Sequence, residues 1–308
     1  MYASLKGKDD VVRWLVKLFP DTVWSLRYAA QGGHLKLLKW LTKHTSWDEN
    51  SLRKNVLHTA AENGNLEIVE FLHNNRQDGC TTKAMDLAAL NGHLEVVQWL
   101  HSNRTEGCTT DAMDEAASRG HLEVVKFLHE NRREGCTKQA MDTAAENNHL
   151  EVVKFLHGNR REGCTKAAMS SAAGNGHFEV VKWLQENRRE GCTKAAMPAA
   201  ALGGHLKVMK LLDATYHLDW SEKAIDNAIS EGHTEAVKWL YYHLNQTLYG
   251  RFAIRAARND CIGVLQFMDT VSGLCRNESI YFVGCGNKNP EVVKWYVDHY
   301  DNPRKRKY

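Results

Sequence analysis

A six-residue phrase, Gly92-His93-Leu94-Glu95-Val96-Val97, recurs along this chain at a fixed step, and that step constrains the fold more than any other feature. The phrase returns with small changes at Gly120, Gly176, Gly204 and Gly232, and Asn148 takes the glycine place in one copy. Each step is 28 residues. Weaker copies open at Gly64, Asp260 and Lys288, so the register spans residues 64–288 without an insertion. Gly33-His34-Leu35 and Gly7-Lys8-Asp9 continue it upstream at spacings of 31 and 26 residues. A second phrase, Gly-Cys-Thr, opens at Gly79, Gly107, Gly135, Gly163 and Gly191, again every 28. Two anchors in one register give a single array of about eleven units over residues 1–308, with a partial unit at 1–22 and a last helix and basic tail at 289–308. A period of this size marks a stacked-repeat architecture.

Residues 107–134 show what one unit folds into. Gly107-Cys108-Thr109 punctuates a turn, and the Thr109 hydroxyl is suited to cap the helix that follows. From Asp111 to Arg119, Ala112, Met113, Ala116 and Ala117 form one apolar stripe. Gly120 supplies the left-handed residue that ends this helix. A second helix over Leu122–Asn131 follows, with Val124, Val125, Phe127 and Leu128 apolar, and Arg132-Arg133-Glu134 links to the next unit. Two short helices cannot bury such stripes alone, whereas stacked neighbours can.

The run Ala116-Ala117-x-x-Gly120-His121-Leu122-Glu123-Val124-Val125-Lys126-Phe127-Leu128 resembles the core signature of the ankyrin repeat, and its copies cover essentially the whole chain. The units depart from that family in length, having 28 residues against about 33. The shortfall lies between the second helix and the next first helix, where the family has its β-hairpin finger. Asp111-Ala112-Met113-Asp114 also stands where the family has a Thr-Pro-Leu-His turn. The expectation is an all-α, ankyrin-like solenoid of stacked helix-turn-helix repeats, with fingers short or absent. The resemblance further implies a non-catalytic scaffold or adaptor that binds a protein partner on the concave, first-helix side.

Composition fits that class. Hydrophobic residues make up 43% and charged residues 25%, which argues against wholesale disorder. A net charge of +3 is too small to imply a nucleic-acid partner by itself. There is no apolar run long enough to cross a membrane and no apolar core of a secretion signal near Met1–Asp10. An intracellular monomer, cytoplasmic or nuclear, is expected, and no cofactor or metal. No phosphate-cradling glycine loop, nucleophile elbow or His-Glu-x-x-His motif occurs.

Several one-per-unit ladders need weighing. Cys80, Cys108, Cys136, Cys164 and Cys192 repeat at helix-packing distances, too far apart for disulfides, and read as half-buried thiols. No Cys-x-x-Cys pair suggests zinc. His34, His93, His121, His149, His177, His205 and His233 lack convergent partners; the resemblance gives them a structural role, bonding the local turn. His73, His101, His129 and His157 end second helices, where an exposed cation complements the helix dipole. The aromatic residues from Trp40 to Trp295 at one second-helix position read as inter-unit packing. Arg104, Arg132, Arg160 and Arg188, with Arg133, Arg161 and Arg189, run beside Glu106, Glu134, Glu162 and Glu190. They form either a self-neutralising network or an edge for nucleic acid or a phosphate-rich ligand.

Units that share a scaffold constrain scaffold positions alike and leave contact positions free. The second helix hardly changes; the first does. Candidate partner-binding residues are therefore Asp86, Leu87, Leu90 and Asn91; Asp114, Glu115 and Arg119; Asp142, Thr143, Glu146 and Asn147; and Ser171 and Asn175. Lys138, Lys166 and Lys194 edge the same side. This surface is expected to be acidic in the early units and flatter later. After residue 213, Tyr216, Trp220, Tyr241, Tyr242, Tyr249, Phe252 and Tyr281 form either a binding hot spot or a self-covering cap. The tail Pro303–Tyr308 has the composition of a short nuclear-import signal.

Overall fold

Each unit folds as the spacing predicts, into two short antiparallel helices. The computed structural model describes residues 2–18, 24–44, 52–75, 80–216, 222–243, 247–273, 275, 278–287 and 289–300. Among these there are 22 helices in eleven pairs, and no strand. They fall into two compact units, residues 1–164 and 165–308. The first unit holds α1 (Tyr2–Leu5) with α2 (Asp9–Leu18), α3 (Trp24–Gln31) with α4 (Leu35–His44), and α5 (Leu52–Glu62) with α6 (Leu66–Asn75). It continues with α7 (Lys83–Leu90) and α8 (Leu94–Asn103), α9 (Thr110–Ser118) and α10 (Leu122–Asn131), and α11 (Lys138–Glu146) and α12 (Leu150–Asn159). The second unit holds α13 (Lys166–Gly174) with α14 (Phe178–Asn187), α15 (Ala196–Leu202) with α16 (Leu206–Tyr216), and α17 (Lys223–Ser230) with α18 (Thr234–His243). It ends with α19 (Gly250–Arg258) and α20 (Ile262–Ser272), then α21 (Ser279–Gly286) and α22 (Pro290–Tyr300). The links from Arg104 to Thr109 and from Arg132 to Thr137 are irregular, so neither carries a hairpin finger.

Local chemistry sets these boundaries. The Thr109 hydroxyl accepts from Asp111 N at 3.1 Å, and Thr137 and Thr165 repeat the cap on Gln139 N and Ala167 N. The first helix so capped begins at Thr110, one residue earlier than its apolar pattern suggests. At its far end Gly120 takes φ +76°, while His121 N and Gly120 N donate to Ala116 O and Ala117 O, closing a Schellman turn. Asn148 and Asp260 hold the same turn at φ 66° and 59°, consistent with the tolerance of Asn and Asp for this conformation. The second helix ends with an asparagine whose side-chain amide satisfies a terminal carbonyl, as Asn131 does for Phe127 O.

Three connections tie one pair to the next. First, the histidine after the turn glycine reaches backwards. His93 Nε2 donates to Glu62 O at 3.0 Å, His34 to Leu5 O at 2.8 Å and His233 to Leu202 O at 2.9 Å. The bond is thus to the preceding pair and not to the histidine's own turn, a correction to the local role expected. Asn65 and Asn289 make the same backward bond with their amides where histidine is missing. The imidazole lies flat against the preceding glycine, so a Cβ on Gly120 would collide with the ring of His149.

Second, Glu134 accepts from Arg132 within its own link, from Arg133 N at 2.9 Å and, across the seam, from Cys108 N at 3.3 Å. The pair covers Gly107 of the preceding turn. Arg160–Glu162 and Arg188–Glu190 repeat the bridge, so this part of the arginine line neutralises itself. Partial burial pushes the Glu134 carboxyl up, but the bonds from Arg132 and the backbone outweigh it and hold its pKa at about 2 instead of 4.5. Third, the carboxylate of Asp114 takes Thr137 N at 2.8 Å and Thr137 Oγ1 at 2.6 Å.

Within each compact unit the core is a column of small and branched side chains. Ala116 and Ala117 are wholly buried, and Val124, Val125 and Leu128 nearly so. The paired alanines let neighbouring first helices approach closely. The cysteine ladder is buried, not half-buried as expected, and unbonded to other cysteines. Burial raises Cys108 to about 12 and Cys136 to about 11, which leaves these thiols protonated at neutral pH and suits a packing role. The aromatic column packs as expected, with His101 edge-on to Phe127 at 5.5 Å and His129 to Phe155 at 5.6 Å. These histidines are half-buried, and Arg104 donates to His73 Nδ1 at 3.1 Å. His73 is thus tied to the following link instead of standing exposed at its helix end as expected.

Two predictions follow from these connections. Gly120→Ala should lower stability by about 1–2 kcal/mol from the left-handed backbone alone. The ring of His149 adds to that, so an additional His149→Ala should recover part of the loss in urea titration. For Glu134, the lowered pKa means that its contribution is present above about 4.5 and is lost as pH falls toward about 2. Glu134→Gln should therefore have a lower urea midpoint than the parent chain at pH 7, and the gap should close over that window.

Candidate interaction surface

The first helices pack side by side within each compact unit, and their outward residues form the surface on which the sequence candidates fall. Its geometry divides those candidates into two groups. Asp114 is buried at 6% exposure, and both oxygens are taken by Thr137. Asp86 is half-buried and accepts from Thr109 N at 2.8 Å and Thr109 Oγ1 at 3.2 Å. Burial raises the pKa of both carboxyls against the hydrogen bonds that lower it. These two belong to the seam, which corrects their placement among contact residues: near-invariance across units reflected scaffold duty. Ser170 takes over the role in the second unit, where Thr193 N donates to its hydroxyl at 2.9 Å. Asp142 is half-buried at the equivalent position.

Asparagines and threonine are also partly engaged. Asn147 donates to Ser118 O at 2.9 Å, in the preceding pair, while Asn91 donates to Leu87 O of its own helix at 3.1 Å. Thr143 Oγ1 donates to Gln139 O at 2.8 Å. Leu87, Leu90, Glu115 and Ser171 are half-buried. Arg119, Glu146 and Asn175 are exposed, and so are Lys138, Lys166 and Lys194. The early units are therefore less acidic at this surface than the carboxylate count suggests, because two of the carboxylates face the seam.

The structure adds residues not singled out from the sequence. Arg251, Arg255 and Arg258 are exposed along α19. Arg251 pairs with Glu222, and Arg255 with Asp226 at 2.8 Å. Their i, i+4, i+7 spacing on one helix face is visible in the sequence. The neighbouring aromatics mostly cover themselves. Phe252 is buried, Tyr216 OH donates to Met169 Sδ at 3.1 Å, and Tyr241 packs edge-on to Phe267. Tyr242 and Tyr249 stay exposed. Trp220 and the basic tail at 303–308 lie outside the described residues.

Among the described residues no group of three or more His, Cys, Asp or Glu side chains is placed to hold a metal ion. No helix is long and apolar enough to cross a membrane. The division of the candidates is open to test. Asp114→Ala should cost about 1–3 kcal/mol of stability, since it strips partners from a buried backbone N–H and hydroxyl. Glu115→Ala and Arg119→Ala should stay within about 0.5 kcal/mol of the parent chain in the same urea titration.

A search of curated proteins finds no match to the chain. The family model of ankyrin repeats matches three times, over residues 26–114, 85–167 and 143–219. With the helix pairs, left-handed turns and matched residues in agreement, the chain belongs to the ankyrin-repeat family.

Proposed function

We propose that this chain is a non-catalytic scaffold or adaptor that binds a partner protein on its first-helix face. Ankyrin repeats are generally protein–protein interaction modules. The observation that carries the reading here is the contrast within one face. Positions that bond across the seam keep a side chain able to do so, as at Asp86, Asp114 and Ser170. The half-buried positions beside them change from unit to unit, as from Leu87 to Glu115 to Thr143 to Ser171. A surface held rigidly by its neighbours and free in its exposed chemistry suits recognition of a particular partner.

Binding of nucleic acid or another phosphate-rich ligand along the arginine edge has less support. Arg104, Arg132, Arg160 and Arg188 are each engaged by a glutamate two residues on. Beside them Arg133, Arg161 and Arg189 are exposed, one in each of three links.

The test is an affinity capture from lysate with the chain and with a Glu115→Ala, Arg119→Ala, Glu146→Ala variant of unchanged circular dichroism. A partner identified with the parent chain should bind the variant at least about tenfold more weakly when titrated as a purified protein. Capture that persists in the variant but disappears with nuclease would overturn the reading in favour of the arginine edge.

A further inference from the structure

The first-helix face of the second compact unit differs in chemistry from that of the first. In the first unit carboxylates and cations are interspersed on this face, with Asp111, Glu115 and Glu146 near Lys83, Arg119 and Lys138. In the second, α13 and α15 contain no carboxylate at all. Lys166, Lys194 and Lys223 are exposed at the entries of three consecutive first helices, and among the described residues none forms an ion pair. Between them the surface carries the small side chains of Ala167, Ala195 and Ala199 together with the hydroxyls of Ser170, Ser171 and Thr193. At the far end of α15, Leu202 is 46% exposed. Its equivalents in neighbouring pairs are Gly174 and Ser230, so nothing in the repeat requires a leucine there. Its carbonyl, by contrast, serves the seam by accepting from His233.

A row of ammonium groups without ion-pair partners, a floor of small side chains and one exposed leucine are complementary to a chain that is acidic and carries an apolar side chain. Resting on the reading of the first-helix face as the partner surface, we propose that this part of the second unit binds an acidic segment of the partner protein, with one apolar side chain on Leu202 and carboxylates along Lys166, Lys194 and Lys223. The geometry sets the spacing. Neighbouring helices lie about 8–10 Å apart, so an extended segment crossing them meets a lysine about every three residues. The helix from Ala196 to Leu202 rises about 9 Å and Lys194 lies two residues before it, so three to four extended residues reach from Lys194 to Leu202. A nucleic acid fits less well. Among the described residues α13, α15 and α17 carry no aromatic ring for base stacking.

A peptide-display library panned on the full chain tests this, with recovered peptides synthesised and titrated by fluorescence anisotropy. The expected outcome is enrichment of Asp and Glu at intervals of about three residues around one Leu, Ile, Met or Phe. Affinity should fall on the order of tenfold in Leu202→Ser and again in Lys166→Glu with Lys194→Glu, each with unchanged circular dichroism. Enrichment of neutral or basic peptides overturns the proposal. So does displacement by single-stranded poly(U) RNA combined with indifference to Leu202→Ser, which marks a general polyanion face. If the peptides instead depend on Glu115, Arg119 and Glu146, the first-helix reading stands and the acidic-segment site falls. Indifference to both sets of substitutions removes both.

Discussion

A pair of helices of at most eleven residues each has too little apolar surface to be stable alone, so everything in this molecule depends on the seam between successive pairs. The backward hydrogen bond from the residue after the turn glycine is its most constrained element. It needs a left-handed residue in one pair, most often glycine, and a side-chain donor of fixed reach in the next. Histidine meets the second need in most pairs and asparagine in two described ones, at Asn65 and Asn289. Cys261 offers a weaker thiol, 3.8 Å from Ser230 O. The turn and the seam are therefore one device.

The other two connections act at different heights along the same seam. Asp114 fixes the start of the next first helix by holding the Thr137 that caps it, so one pair sets where the next begins. The arginine–glutamate bridge closes the opposite edge over the turn glycine. This explains why short units need no finger: the polar groups of a shortened link are satisfied by the bridge, as when Arg133 N and Cys108 N both donate to Glu134. It also explains why a line of arginines need not advertise a polyanion. Each inner guanidinium is held by a carboxylate before any ligand arrives.

Rigidity of the seam leaves the exposed first-helix residues free to differ. In the first compact unit they mix charge; in the second they pass from lysines among small side chains to the arginines of α19, two of them paired with Glu222 and Asp226. A module built this way separates stability from recognition residue by residue. Neighbours such as Asp114 and Glu115 are adjacent in sequence yet answer to different demands, because successive residues of a helix point about 100° apart.

The sequence by itself determined the helical unit, its boundaries to within a residue, the left-handed turns and the family, because these follow from local chemistry repeated at a constant step. Thr109, Gly120 and Asn131 act within their own pair. What only the tertiary structure decided is which polar side chains face a neighbour. His93 bonds a carbonyl 31 residues away, Asp86 a threonine 23 residues on, and His73 an arginine of the following link. A repeating polar residue looks the same in sequence whether it faces solvent or the next pair. Packing the pairs against one another removes water from one side and leaves the other exposed, and that difference separates Asp114 from Arg119.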